Sequence, residues 1–207
     1  MAQTMKVWDP LVRIFHWSLV VLFVVSYVTG DDESMVHIYS GYGVLGLVAF
    51  RIVWGVIGTR YARFSDFVRG PAQVMAYTRA LLAGRPLRFL GHNPLGGWMV
   101  VLLLVSLALT CWSGLEAYAA EGKGPLAAAS VSLIPVAMAH GDEEGHASKR
   151  EGDKFWKEIH EFLSNLTLGL VLVHIAGVFV ASRMHKENLV KAMITGRKET
   201  SSESAPK

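Results

Sequence analysis

Residues 162–182 read FLSNLTLGLVLVHIAGVFVAS and contain no Asp, Glu, Lys or Arg. A helix needs about 20 apolar residues to cross the hydrocarbon core of a bilayer, which is roughly 30 Å thick. The segment has this length and composition, so it predicts a membrane-spanning helix. It contains one histidine, His174, and another, His160, lies just before it.

Three further stretches have the same character, namely residues 11–30, 36–58 and 95–115. The 207-residue chain is 52% hydrophobic and 18% charged, whereas soluble domains are about 25% charged. We therefore predict an all-α fold, an integral membrane four-helix bundle that forms a single domain over residues 1–199. This composition argues against a soluble enzyme, a disordered chain or a nucleic-acid-binding protein. The lone cysteine, Cys111, excludes a disulfide framework or a cysteine-based zinc site within one chain.

The basic residues predict the orientation of the bundle. If the N-terminus is cytoplasmic, 15 of the 20 Lys and Arg residues lie on the inner side, as the positive-inside rule requires. The acidic clusters at residues 31–33 and 142–144 then lie outside. Both termini are thus predicted to be cytoplasmic, and the pI near 9.0 is explained without nucleic acid.

The connecting segments carry weaker signals. Residues 71–83 mix apolar and polar side chains between Pro71 and Gly84, which predicts a short interfacial helix. Residues 116–157 form a long outer loop, and its apolar run 125–139 is short for a span. Residues 200–207 are predicted to be a disordered tail.

Four histidines fall into two pairs by depth in the membrane. His16 and His174 lie in the inner halves of their spans, whereas His37 and His160 lie at outer ends. Each level thus holds two histidines from different helices, as the two axial ligands of a six-coordinate haem b would require. The alternative is that each histidine is neutral and hydrogen-bonded to a neighbouring helix.

The spacing within the fourth span favours the haem interpretation. His160 and His174 are 14 residues apart, so they share one helix face and lie roughly 21 Å apart along the axis. That separation would stack two haems, one near each membrane surface. Zinc would need three or four ligands close together. A proton relay would need bridging polar groups, which the intervening Leu166, Leu170 and Val173 do not offer.

Span two carries further candidate residues. Arg51 stands 14 residues after His37, so it faces the same way at the level of the inner pair and could bind a haem propionate. The alternative is an arginine that snorkels to the headgroups. Glycines in the same span would let a flat macrocycle approach the backbone, or would serve close helix packing; they are Gly41, Gly43 and Gly46. The remaining histidines are interpreted as having no role in a site; they are His92, His140, His146 and His185.

Three motifs in order resemble those of the bacterial cytochrome b561 and nickel–iron hydrogenase b-type cytochrome family. They are VWDPLVRIFHW at residues 7–17, His37-x3-Gly41-x9-Arg51-x2-Trp54, and GHNPLG at residues 91–96. The resemblance covers about residues 7–196 and implies a four-helix membrane bundle with two b haems. Its ligands on helices one, two and four carry over to His16, His37, His160 and His174. The outer loop 116–157 departs from the family, since it is longer and more charged.

Two bis-histidine haems leave no open coordination site, so electron transfer is the expected function. The resemblance implies exchange between the quinone pool (ubiquinone or menaquinone) and a periplasmic redox partner, across a bacterial inner membrane. The sequence leaves open which haem serves the quinone and whether the chain forms a homodimer. An acidic outer loop suits a basic c-type cytochrome. Anchoring of a hydrogenase or a molybdenum enzyme, and superoxide oxidation by quinone, are the alternatives.

Two other functional classes compete with a cytochrome. A structural anchor without haem would give a colourless preparation. A small transporter would need broken helices and polar groups at the midplane, and none of the four spans is expected to contain an internal polar cluster.

Overall fold

The computed structural model describes residues 3–30, 34–85, 89, 91–127, 142–185 and 187–200. Its elements, in chain order, are β1 (Gln3–Lys6), α1 (Pro10–Val28), α2 (Met35–Ile57), α3 (Phe64–Phe67), α4 (Pro71–Leu82), α5 (Pro94–Ala120), α6 (Asp142–His185), α7 (Leu189–Thr195) and β2 (Arg197–Thr200). Four of the helices, α1, α2, α5 and α6, are long and apolar enough to cross a membrane. The predicted all-α membrane bundle is confirmed.

Side-chain caps begin the first three long helices. The Asp9 carboxylate accepts from the Val12 N–H at 2.9 Å, and Pro10 occupies the first turn of α1. Ser34 caps α2, and Asn93 caps α5, where Pro94 follows it. A cap satisfies backbone N–H groups that have no partner within the helix. Each of these three helices therefore starts at a position that its local sequence specifies.

Two long helices extend beyond the predicted spans. Helix α5 continues to Ala120 rather than residue 115, and α6 begins at Asp142 rather than residue 162. Hydropathy locates the membrane-crossing part of a helix, whereas Ala, Glu and Lys continue the helix into water. Much of the predicted loop 116–157 is therefore helical. Residues 31–33 and 128–139 lie outside the described residues, as do the side chains of residues 142–144.

The long helices pack in sequence, α1 on α2, α2 on α5, and α5 on α6. A core of Val44, Val48 and Leu107 fills the space between α1, α2 and α5. Among the described residues, α6 makes far fewer contacts with α1 and α2 than with α5. One link is the Tyr27 hydroxyl, which donates to the Asn165 side chain at 2.7 Å. Within the described residues, α6 is therefore held in the bundle mainly by α5.

A two-stranded sheet joins the two ends of the described chain. Strands β1 and β2 pair antiparallel, from Gln3 opposite Thr200 to Lys6 opposite Arg197. Thr200 is therefore in a strand and not in a disordered tail, while residues 201–207 lie outside the described residues. We call this end of the bundle the sheet end and the opposite one the far end.

Two segments of the chain, one after β1 and one before β2, make close backbone contact beside this sheet. The N–H groups of Val7 and Trp8 both donate to the Gly196 carbonyl, at 2.9 and 3.2 Å. Gly196 has a φ of +78°, and a Cβ there would lie 2.8 Å from the Trp8 carbonyl oxygen. Both facts require glycine at this position. Val7 and Trp8 form a small core with Ala192 of α7.

The connection between α2 and α5 also lies at the sheet end. It contains α3 and α4, and α4 confirms the helix that was predicted for residues 71–83. Tyr77 of α4 is buried and its ring contacts Phe89 at 5.7 Å between centres. The contact joins α4 to the segment that precedes α5.

Candidate functional site

Two histidine rings lie close together at the far end of the bundle. The ring centres of His37 in α2 and His160 in α6 are 5.9 Å apart, and their planes differ by 82°. The Nδ1 atom of His37 lies 2.8 Å from the Ser26 carbonyl oxygen. That of His160 lies 3.0 Å from the Thr110 carbonyl oxygen. A carbonyl only accepts, so each Nδ1 carries the proton and donates it, which leaves Nε2 free as a metal ligand.

The separation of these rings fits one metal between them. An imidazole nitrogen binds a transition metal at about 2 Å, so two rings on opposite sides of one iron have centres about 6 Å apart. Within the part of the chain that the structure describes, no three His, Cys, Asp or Glu side chains gather into a possible metal cluster. The arrangement therefore suits a metal that takes two protein ligands from opposite sides, as haem iron does.

Helix α5 holds the His160 ring in place. A Cβ on Gly114 would lie 2.9 Å from Cε1 and 3.1 Å from Nδ1 of His160, so only glycine admits the ring at this distance. The Ser113 hydroxyl, which is buried, lies 3.2 Å from the same Nδ1. Sequence reasoning missed these residues. Their spacing in the sequence could have indicated a common site, since Thr110, Ser113 and Gly114 share one face of α5.

A buried hydroxyl cluster continues from this contact towards the middle of the bundle. Ser106 and Thr167 are 4% and 0% exposed, their hydroxyl oxygens are 2.6 Å apart, and Thr110 lies 3.1 Å from Thr167. The expectation that no span contains an internal polar cluster is therefore wrong. Thr167 also donates to the Leu163 carbonyl one turn back. Because a threonine hydroxyl can bond to its own helix in this way, threonine is tolerated within an apolar span, and its presence in the sequence does not by itself indicate a polar cluster. The cluster joins α5 to α6.

A second group of residues lies nearer the sheet end. His16 of α1 and His174 of α6 are close enough to interact electrostatically. His92, in the segment before α5, interacts in the same way with both of them and with Arg51. The structure thus brings His16 and His174 into one region, as predicted from their depth, and adds His92 to it.

His92 is not an ordinary loop residue. Its ring lies between those of Trp8 and Phe67, with centres 4.7 and 4.6 Å away. Its Nδ1 is buried, without a hydrogen-bond partner among the described residues. Burial and then the positive charge of Arg51 lower the pKa of His92 to about 3, so the ring is neutral near pH 7. In the sequence, its position next to Asn93, the N-cap of α5, could have indicated that His92 lies in an ordered segment.

Arg51 is buried within the bundle and does not snorkel to its surface. The residue is 3% exposed, and its guanidinium carbon lies 5.0 Å from the centre of the Phe64 ring and 5.8 Å from that of Phe67. Its Nη1 atom is buried with no hydrogen-bond partner in the described part of the chain. A buried cation with an unused donor is stabilised by an anion. This donor fits a carboxylate such as a haem propionate.

Asp9 connects the start of α1 to the end of α2. Besides capping α1, its carboxylate accepts from the Trp54 indole at 3.3 Å and from the Thr59 hydroxyl. Burial alone would raise the pKa of Asp9, but the hydrogen bonds from Thr59, Val12 and Trp54 outweigh it and lower the pKa. Asp9 and Trp54, both present in the motifs, thus position the sheet-end halves of α1 and α2.

The glycines of α2 differ in their surroundings. A Cβ on Gly41 or Gly46 would meet nothing within 4 Å, whereas one on Gly43 would lie 2.8 Å from Leu22. Gly43 therefore serves close packing against α1. Gly41 and Gly46 leave open space beside the backbone.

Comparison with known proteins gives one match. A family model described as prokaryotic cytochrome b561 matches residues 7–196, a range that includes both histidine groups and Arg51. No curated protein and no solved structure matches the chain. The family implies haem b binding and electron transport, and the four apolar helices make the chain a multi-pass membrane protein. The chain therefore belongs to the prokaryotic cytochrome b561 family.

Proposed function

We propose that the chain binds two b haems and carries electrons across the membrane between the quinone pool and a periplasmic redox partner. Bound haem b supplies the one-electron chemistry. His37 and His160 ligate the haem at the far end, and His16 and His174 ligate the one nearer the sheet end. With two histidines on each iron, the chain keeps oxygen and substrates away from the metal.

The observation that carries the proposal is the His37–His160 pair. Their rings lie 5.9 Å apart, and both Nδ1 atoms lie beside backbone carbonyls. Metal-ligating histidines usually donate their other ring N–H in this way, which fixes the tautomer and the direction of the ring. Both Nε2 atoms are thereby left unprotonated and would be available as ligands of a haem iron.

The support for the second haem is of a different kind. His16 of α1 and His174 of α6 are close enough to interact electrostatically. The unused Nη1 donor of Arg51 suits a propionate at this level. His160 and His174 lie roughly 21 Å apart along α6, so the two pairs occupy different depths and can relay electrons between the two membrane surfaces.

We also propose that the sheet end is cytoplasmic, because the basic residues of the connection between α2 and α5 lie there and follow the positive-inside rule. The far end then faces the periplasm of a bacterial inner membrane. The redox partner docks at that end, where the acidic clusters 31–33 and 142–144 of the sequence suit a basic partner.

A redox difference spectrum of the purified protein, with its haem-to-protein ratio, tests the proposal. We expect two haem b per chain, both reduced by a quinol. His37→Ala and His160→Ala should lose one spectral component, and His16→Ala and His174→Ala the other. A colourless protein would instead indicate a structural anchor. A ratio of one haem, or loss of the same component in His16→Ala and His160→Ala, would contradict the pairing.

A further inference from the structure

An apolar groove lies at the sheet end between α4 and the first turns of α5. Its volume is 290 Å³, and it is lined by Pro71, Val74, Met75, Thr78 and Trp98. The Thr78 hydroxyl donates to the Val74 carbonyl at 2.9 Å. Its hydrogen is therefore bonded within the helix, and the lining of the groove is largely apolar. The lining suits a hydrocarbon chain, whose transfer out of water is favourable.

The groove has fixed walls and an open side. The Trp98 indole N–H donates to the Arg69 carbonyl oxygen at 2.8 Å, which orients the ring. The α4 residues of the lining recur every three or four positions and therefore share one helix face. Met75 is 56% exposed and Trp98 is 46% exposed. Tryptophan is typical of the boundary between membrane and water, so a molecule from the bilayer can enter at this side.

The groove lies in a strongly basic segment. Residues 59–85 contain five arginines and one acidic residue, Asp66, which pairs with Arg63 at 3.1 Å. Arg69 adjoins the groove because its backbone is bonded to Trp98. Arg79 lies one helical turn after Met75 on α4. An apolar interior is thus combined with a cationic border.

We propose that this groove binds an anionic phospholipid of the surrounding bilayer, with an acyl chain in the groove and the phosphate beside Arg69 and Arg79. Arginines next to a membrane attract anionic headgroups, so charge complementarity selects these lipids over zwitterionic ones. The isoprenoid tail of a quinone would also fit the apolar lining. Its uncharged headgroup could accept hydrogen bonds from the two arginines but would form no ion pair with them, which favours the phospholipid.

Native mass spectrometry of the full-length, haem-loaded protein in detergent tests the charge selection. Phosphatidylglycerol and phosphatidylcholine with identical acyl chains are titrated in parallel, and phosphatidylglycerol should bind more tightly. Each arginine near a membrane surface contributes roughly fivefold, so the double variant Arg69→Gln/Arg79→Gln should weaken phosphatidylglycerol binding about 25-fold. Phosphatidylcholine, whose choline group offsets the charge of its phosphate, should be weakened much less. Arg85→Gln, which lies beyond the end of α4, is the matched control. Equal binding of both lipids by the unmodified protein would overturn the proposal.

Filling the groove tests its location. Val74→Trp should weaken binding of both lipids at least tenfold, whereas Leu82→Trp, at an exposed α4 position outside the groove, should not. If Val74→Trp yields no haem-loaded protein, Met75→Glu at an exposed position should still lower phosphatidylglycerol binding selectively. Unchanged lipid binding in whichever of Val74→Trp and Met75→Glu folds would overturn the proposal. Displacement of phosphatidylglycerol from the unmodified protein by a neutral quinone would also overturn it and would assign the groove to a quinone tail.

Discussion

Replacement of Gly114 by alanine tests how the chain holds its far-end haem. The new Cβ would lie 2.9 Å from Cε1 of His160, and ordinary van der Waals contact begins near 3.4 Å. The ring must therefore move by about 0.5 Å. The Nδ1–H bond to the Thr110 carbonyl, now 3.0 Å, would then stretch towards the limit of hydrogen bonding.

The expected size of the effect follows from this bond. Loss of an outer-shell partner of a metal-ligating histidine typically lowers metal affinity 10–100-fold, which corresponds to roughly 1.4–2.8 kcal/mol. Gly114→Ala should therefore lose the far-end haem, or shift its midpoint potential, and leave the other haem unchanged. Haem content and a redox titration of the purified protein measure both quantities.

Gly169→Ala is the matched control for this experiment. Gly169 lies nine residues after His160, on the opposite face of α6, and a Cβ there would meet nothing within 4 Å. Both substitutions raise helix propensity by about 1 kcal/mol, so they differ mainly in the contact with His160. Normal haem content and unshifted midpoints in Gly114→Ala would refute the assignment of His160 as an axial ligand held by α5.

Three further experiments test the role of Arg51, the role of Asp9 and the orientation of the bundle. Arg51→Leu should lower the midpoint of the haem nearer the sheet end, because a removed positive charge favours the ferric state, and Arg51→Lys should restore part of the shift; unmoved midpoints would contradict the propionate contact. Asp9→Ala should destabilise the fold by roughly 3 kcal/mol, from one helix cap and two side-chain hydrogen bonds, and thermal unfolding should show a lower Tm than in Asp9→Asn. Reporter fusions should place Lys207 in the cytoplasm and Gly145 in the periplasm, and the reverse result would invert the bundle.

The spans and α4 were predictable because their signals are local. A run of about 20 apolar residues is sufficient for a span, and Pro71 and Gly84 mark the limits of α4. The pairing of β1 with β2 was not predictable. Each strand has four residues without a clear alternating pattern, and their partners lie almost the whole chain apart.

The site was predictable only in part for a related reason. Depth in the membrane follows from position along a span, so the sequence indicated which histidines share a level. The rotation of each helix about its axis is set by packing, and it decides which side chains meet. For this reason the contact of Gly114 with His160, the pairing of Ser106 with Thr167 and the burial of His92 emerged only from the structure.

The sheet that joins the two ends of the chain has a consequence for biosynthesis. Strand β2 is the last described element to be synthesised, and the N–H groups of Val7 and Trp8 can bond to their native acceptor only once Gly196 has been made. Because Trp8 also packs against His92, the surroundings of His92 are completed only after α7 has been made. A nascent chain that stops before Gly196 can insert its four spans and still leave this end of the bundle open. Assembly of the sheet end can therefore be completed only after Gly196 has been synthesised.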